Sequence, residues 1–113
     1  MSELYHVELG FPSDVVLMSG IIYLTYSKHA IRASYDDRYG MMNLPSLLDI
    51  KFAKIIEIEV ENGRVVKSVY RSKYDKVLDI IIVVNYDGFV RTVWFNKVSD
   101  RHQTLDVGKY TKI

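Results

Sequence analysis

Two dipeptides constrain most strongly what this chain can fold into. Asn62-Gly63 lies inside "AKIIEIEVENGRVVKSVYR", and Asp87-Gly88 lies inside "DKVLDIIIVVNYDGFVRTVWFN". A two-residue hairpin turn asks for positive φ at its central positions, which Asn-Gly and Asp-Gly tolerate best. The flanks of both are rich in β-branched and aromatic residues that suit a pleated, half-buried surface. The pattern predicts four antiparallel strands, roughly 54–61, 64–72, 76–85 and 89–96. The run "DIIIVV" is apolar on both faces, so its strand belongs in the centre of the sheet, covered on both sides.

Two-residue turns also set a register. At the first hairpin Glu61 opposes Arg64, Glu59 opposes Val66 and Ile58 opposes Lys67. At the second, Val84 opposes Arg91, Val83 opposes Thr92 and Ile81 opposes Trp94. Ile56, Ile58 and Val60 then share one face, with Glu57, Glu59 and Glu61 on the other. The acidic row reads as a solvated face that discourages edge pairing. Arg91 falls on the face of Val93 and Phe95, opposite Thr92, Trp94 and Asn96.

Upstream, "ELYHVELGF" alternates weakly and "SGIIYLTYS" is β-branched and aromatic; both read as strands. Ser27 is placed to cap a helix over "KHAIRASYDDRY", and Gly40 to end it. "MMNLPSLLDIKF" reads as a second short helix, with Asn43 near the cap and Pro45 in the first turn. A closing strand is expected near 107–112, with "SDRHQTLD" folding back over the sheet through Leu105 and Val107. The fold class is α+β. A strand and short helices at the N-terminal end pack on a four- to five-stranded antiparallel sheet. A length of 113 residues argues for a single domain over 1–113.

Composition narrows the chemistry. No cysteine is present, which excludes disulfides and thiolate metal sites. His6, His29 and His102 lack paired spacing, so no metal site is expected. No Walker or Rossmann loop and no G-x-S-x-G elbow occurs, so no cofactor is expected. No run of apolar residues reaches membrane-span length, and "MSELYHVELG" has no signal-peptide pattern. The expectation is a soluble cytoplasmic chain without a membrane partner. The net charge of +1 gives no bulk case for nucleic acid. Yet residues 1–63 hold 5 Lys/Arg against 9 Asp/Glu, and residues 64–113 hold 10 against 5. The second half is the better candidate for a surface that faces phosphate.

Two segments carry candidate chemistry. On the helix, His29 and Arg32 are three apart and share a face, and Arg38 follows near its end. An imidazole beside guanidinium groups suits proton transfer at a phosphodiester. The same residues also suit an ordinary amphipathic helix with a solvated face. The second segment is "VRTVWFNKVSDRHQTLDVGKY", where Asp100 and His102 follow a strand bearing Arg91, Trp94 and Asn96. Loops that follow strands are frequent sites.

The stretch "YSKHAIRASYDDRYG" resembles the S-x-H-A-x-x-R helix of small RelE/colicin-type ribonuclease-like domains, found in toxin and phage proteins. Ser27, His29, Ala30 and Arg32 carry the likeness, with Arg38 a looser match. "RTVWFN" is similar to a strand of that group, and the order of helix then sheet agrees. The resemblance implies RNA cleavage through the 2′-hydroxyl without a metal. The strong basic charge of such domains is missing here, and "SDRHQTLD" has no assigned counterpart.

Two functional readings follow. The first is a metal-independent endoribonuclease. His29 and His102 would move protons, with Asp100 orienting His102. Arg32, Arg38, Arg71 and Arg91 would bind RNA phosphates, and Tyr70 or Trp94 would stack a base. The second is a non-enzymatic factor of phage or mobile-element type that binds a host protein, an antitoxin-like protein or nucleic acid. It is motivated by the near-neutral charge and nine tyrosines.

Overall fold

A computed structural model describes residues 2–100 and 107–111 of the chain. The strands, in chain order, are β1 (Glu3–His6), β2 (Ile21–Tyr23), β3 (Thr25–Tyr26), β4 (Leu47–Asp49), β5 (Ala53–Glu61), β6 (Arg64–Lys73), β7 (Leu78–Asn85) and β8 (Phe89–Lys97). One helix, α1 (Lys28–Tyr35), follows β3. A six-stranded sheet has the order β1-β5-β6-β7-β8-β3, and β2 pairs with β4 in a separate ribbon. All pairs are antiparallel except β3 with β8. The class is α+β, as expected, but the main sheet has six strands rather than four or five. The added strands are short edge strands, the kind that propensity marks least clearly.

The four long strands fall close to their predicted ranges, and β7 is central, with Ile80, Ile81, Ile82 and Val84 all buried. The turns differ from one another. Asn62 and Gly63 both have positive φ, 51° and 77°, as a two-residue turn requires. At the second hairpin only Gly88 does, at φ 90°, and its N–H returns to the Asn85 carbonyl. That is a longer turn closed by a left-handed glycine. Gly88 is required twice, because a Cβ there would collide with the Tyr23 carbonyl.

Irregularities in the ladder correct the register. β5–β6 shifts between Ile55 and Glu57 and again between Glu59 and Val60. Glu61 does oppose Arg64, but Glu59 opposes Lys67 and Ile58 opposes Ser68. Ile56 therefore leaves the face of Ile58 and Val60 and packs with Val69 and Ile81. In β7–β8, Val83 opposes Thr92 and Ile81 opposes Trp94 as expected, but Val84 opposes Val90. Arg91 is the extra residue of this bulge; it is exposed and does not join the buried face of Val93 and Phe95.

Two layers cover one face of the sheet. Tyr70, Ile80, Ile82, Val84, Val90, Val93 and Phe95 meet Ala30 of α1, Met42 and the ribbon residues Ile22 and Leu48. The other face carries a smaller strip of Ile56, Val69 and Ile81, with Val83 and Trp94 packed against it.

Three further expectations are corrected. The helix ends at Tyr35, not at Gly40, because Asp37 turns the chain out to bond other backbone N–H groups. Residues 41–52 form no α-helix. Pairing of β4 with β2 wins there, followed by a single 3-10 turn at Ile50–Phe52. In place of a closing strand, Val107–Lys109 is a 3-10 turn, and Thr111 gives one N–H to the Leu4 carbonyl at 2.7 Å. Residues 101–106, with His102 and Leu105, lie outside the described residues.

Candidate functional site

α1 is held against the edge of β8 at both ends. Ser27 is its N-cap, accepting from the Ala30 N–H at 2.9 Å while its hydroxyl donates to the Arg91 carbonyl at 3.0 Å. At the far end, Asp37 accepts from the Phe95 N–H and the Tyr39 N–H, each at 3.0 Å. The lengths agree. Eight helical residues rise about 12 Å, and the four steps from Arg91 to Phe95 span about 13 Å. The helix thus runs alongside β8 in the same direction.

A groove of about 480 Å³ lies between them, lined by Ala33, Asp36, Asp37 and Arg38 on one side and Val93, Trp94, Phe95 and Asn96 on the other. Val93 and Phe95 bury their side chains in the core, so they offer the groove mainly backbone. His29 stands one turn before Ala33 on the same helix flank. It is exposed, and its side chain has no partner among the described residues. Arg32 is exposed on the adjoining stripe. Arg38 lies over the Tyr39 ring at 4.7 Å, and the Lys97 ammonium is 5.8 Å from the same ring. Asp36 is two turns beyond His29, too far along the helix for a direct carboxylate–imidazole bond.

Charge is divided between the sheet edges. Lys28, Arg32, Arg38 and Lys97 are exposed along the α1–β8 edge, beside Asp36 and Asp37, whereas Arg91 lines a separate cavity with Glu59, Glu61, Lys67 and Asp87. The β1–β5 side holds Glu3, Glu8, Glu57, Glu59 and Glu61. Three of these are paired there: Glu8 with Lys54 at 2.5 Å, Glu59 with Lys67 at 3.2 Å and Glu57 with Lys109 at 3.1 Å. The basic edge draws on both halves of the chain, so the charge difference between halves does not map onto one surface.

Of the predicted site residues, the structure brings His29, Arg32 and Arg38 to this edge, while Arg91 turns to the acidic side chains of β5. Trp94 meets the groove at its strand position, but its half-buried indole packs on the opposite face against Ile56, Val69 and Ile81 and borders a second cavity there with Tyr110. Tyr70 is wholly buried beneath α1 and the ribbon, where no base can reach it. Its hydroxyl has no hydrogen-bond partner among the described residues, and burial raises its pKa. The neighbouring Ser68 hydroxyl, also without a partner within bonding distance, acts in the opposite sense.

Arg71 is equally committed. Its guanidinium donates to Asp79 at 2.6 Å, to the Asp100 carbonyl at 2.6 Å and to the Lys97 carbonyl at 2.8 Å. It closes the end of the sheet instead of facing a phosphate. Asp100 is exposed and enters this contact through its backbone, and His102 lies outside the described residues. No group of three or more His, Asp or Glu side chains suited to a metal ion occurs among the described residues.

Reasoning from sequence missed Asp37 and Ala33 as groove residues. The signal for Asp37 was present, since an Asp just past a short helix is a frequent backbone acceptor. No family model, curated protein or solved structure matches the chain. No helix among the described residues is long and apolar enough to cross a membrane.

Proposed function

We propose that the chain is a metal-independent endoribonuclease whose substrate lies along the α1–β8 groove. The observation that supports this best is the double anchoring of α1. It keeps the imidazole of His29 and the guanidinium groups of Arg32 and Arg38 along one open edge. In the reaction, the 2′-hydroxyl oxygen attacks the neighbouring phosphorus and gives up its proton to a base. The bond from phosphorus to the 5′-oxygen breaks, and that oxygen takes a proton from an acid. His29 serves one of these steps, and His102 is the expected partner for the other. Arg32 and Arg38 neutralise charge on the non-bridging oxygens.

The test is incubation of the whole protein with single-stranded RNA in EDTA. Cleavage that is lost in His29→Ala supports the reading, and intact RNA across a broad substrate panel refutes it.

A second reading, binding of a host or antitoxin-like protein without catalysis, is favoured by the outer face of the ribbon. There Tyr23 opposes Leu47, and the two are 74% and 41% exposed. A stoichiometric partner recovered with a protein that leaves RNA intact would favour it.

A further inference from the structure

Between the Arg91 carbonyl and the Phe95 N–H, the edge of β8 presents a single residue whose N–H and C=O are both free among the described residues. The N–H of Phe95 points away from β7, because it bonds Asp37. Alternate residues of a strand point their backbone groups the same way, so the N–H and C=O of Val93 also face the groove. Val93 opposes Ile82 in β7 without exchanging bonds with it, and no other partner for its backbone exists among the described residues. Its side chain is 2% exposed, so the backbone is what Val93 contributes to the groove lining. On either side the edge is closed: Ser27 occupies the Arg91 carbonyl and Asp37 occupies the Phe95 N–H.

We propose that the Val93 N–H and C=O form a bidentate reader for the edge of one nucleobase held in the α1–β8 groove. An added peptide strand would need several successive free residues, and the two side-chain plugs leave only one. A nucleobase needs one. Each base carries an acceptor beside a donor on its pairing edge, matching an N–H beside a C=O. The groove volume of about 480 Å³ falls in the ordinary range for a small-ligand site, roughly 300–1,000 Å³. The exposed cations along the rim fit the attached phosphate. The choice of a nucleotide as ligand rests on the ribonuclease reading, whereas the free backbone pair is independent of it.

The experiment is a ¹⁵N-resolved NMR titration of the whole protein with AMP, CMP, GMP and UMP, and with ribose 5-phosphate as the control lacking a base. The expected result is a saturable shift of the Val93 amide with at least one nucleotide and none with ribose 5-phosphate. Ala33→Phe, which fills the groove, should weaken that binding by about tenfold or more, the loss expected when a good bidentate contact is denied. A Val93 amide that responds to no nucleotide, or equally to ribose 5-phosphate, overturns the proposal. The titration uses the wild-type chain, so it holds even where the variant fails to fold. RNA cleaved with Val93 unresponsive leaves the nuclease standing and removes the base reader. Val93 responsive with RNA intact keeps the base reader and removes the nuclease.

Discussion

Replacing Ser27 tests the geometry on which the groove depends. The hydroxyl makes two separable bonds, one accepted from Ala30 within α1 and one donated to Arg91 on β8. Loss of an N-cap costs about 1 kcal/mol, within a range of roughly 0.5–2. Loss of a donated bond to a backbone carbonyl at a partly solvated site costs about 0.5–1 kcal/mol. Ser27→Ala should therefore destabilise the protein by about 1.5–2 kcal/mol. For a chain of 113 residues that lowers Tm by about 6–8 °C. Ser27→Asp keeps the acceptor for Ala30 and loses the donor to Arg91, so it should recover about half of the loss. Urea unfolding of the three proteins, followed by far-UV circular dichroism, gives the values. Equal stability of Ser27→Ala and wild type would refute the cap. Equal stability of Ser27→Asp and Ser27→Ala would refute the separation into two bonds.

Other consequences are equally direct. Gly88→Ala meets both a left-handed φ and the Tyr23 carbonyl. It should lose more than the roughly 1–3 kcal/mol of backbone strain alone, measured by the same unfolding, and a loss below 1 kcal/mol would contradict the close approach. Burial pushes the Tyr26 pKa from 10.0 to about 12, and Tyr70 shifts in the same direction. Below pH 10 both the folded and the unfolded chain keep these protons. Above it the unfolded chain ionises first, so stability should fall between about pH 10 and 12 by ~1.4 kcal/mol per unit for each fully shifted group. Tyr26→Phe should flatten that fall, read from unfolding at several pH values. Tyr70→Phe removes a buried hydroxyl without a partner among the described residues, so stability should be unchanged or higher by about 1 kcal/mol. RNA cleavage should be unaffected, since no base reaches this ring; a clear loss in either assay would show the hydroxyl to be engaged.

The sheet was legible because its signals are local. Asn62-Gly63, the alternation in β5 and the doubly apolar run of β7 each arise within one hairpin. The Ser27 cap was legible for the same reason. The ladder shifts were not. Nothing in "AKIIEIEVE" reveals that Ile56 takes the opposite face, because a bulge is settled by packing against Val69 and Ile81 across the sheet. Residues 41–52 were misread because "NLPSLL" satisfies helix-start rules, while its strand forms only when β2 is beside it. At the site, the His29–Arg32 spacing was visible from helix geometry. The withdrawal of Tyr70 and Arg71 was not, since it depends on which face of β6 the helix covers and on where Asp79 and Asp100 meet it. The groove needed the Phe95–Asp37 bond, a contact across 58 positions that no local pattern encodes.

The most direct measurement of the central claim is the chemistry of the RNA ends. Single-stranded RNA is incubated in EDTA with wild type, His29→Ala and Ala33→Phe, beside the same RNA methylated at every 2′-oxygen, and the products are analysed by mass spectrometry. Attack by the 2′-hydroxyl in the α1–β8 groove predicts 2′,3′-cyclic phosphate and 5′-hydroxyl ends from wild type. It also predicts at least a hundredfold slower cleavage by His29→Ala, in line with general acid–base contributions of roughly 10²–10⁴, with Ala33→Phe impaired and the methylated RNA uncut. Intact RNA, cleavage of the methylated strand, or full activity in His29→Ala would contradict it.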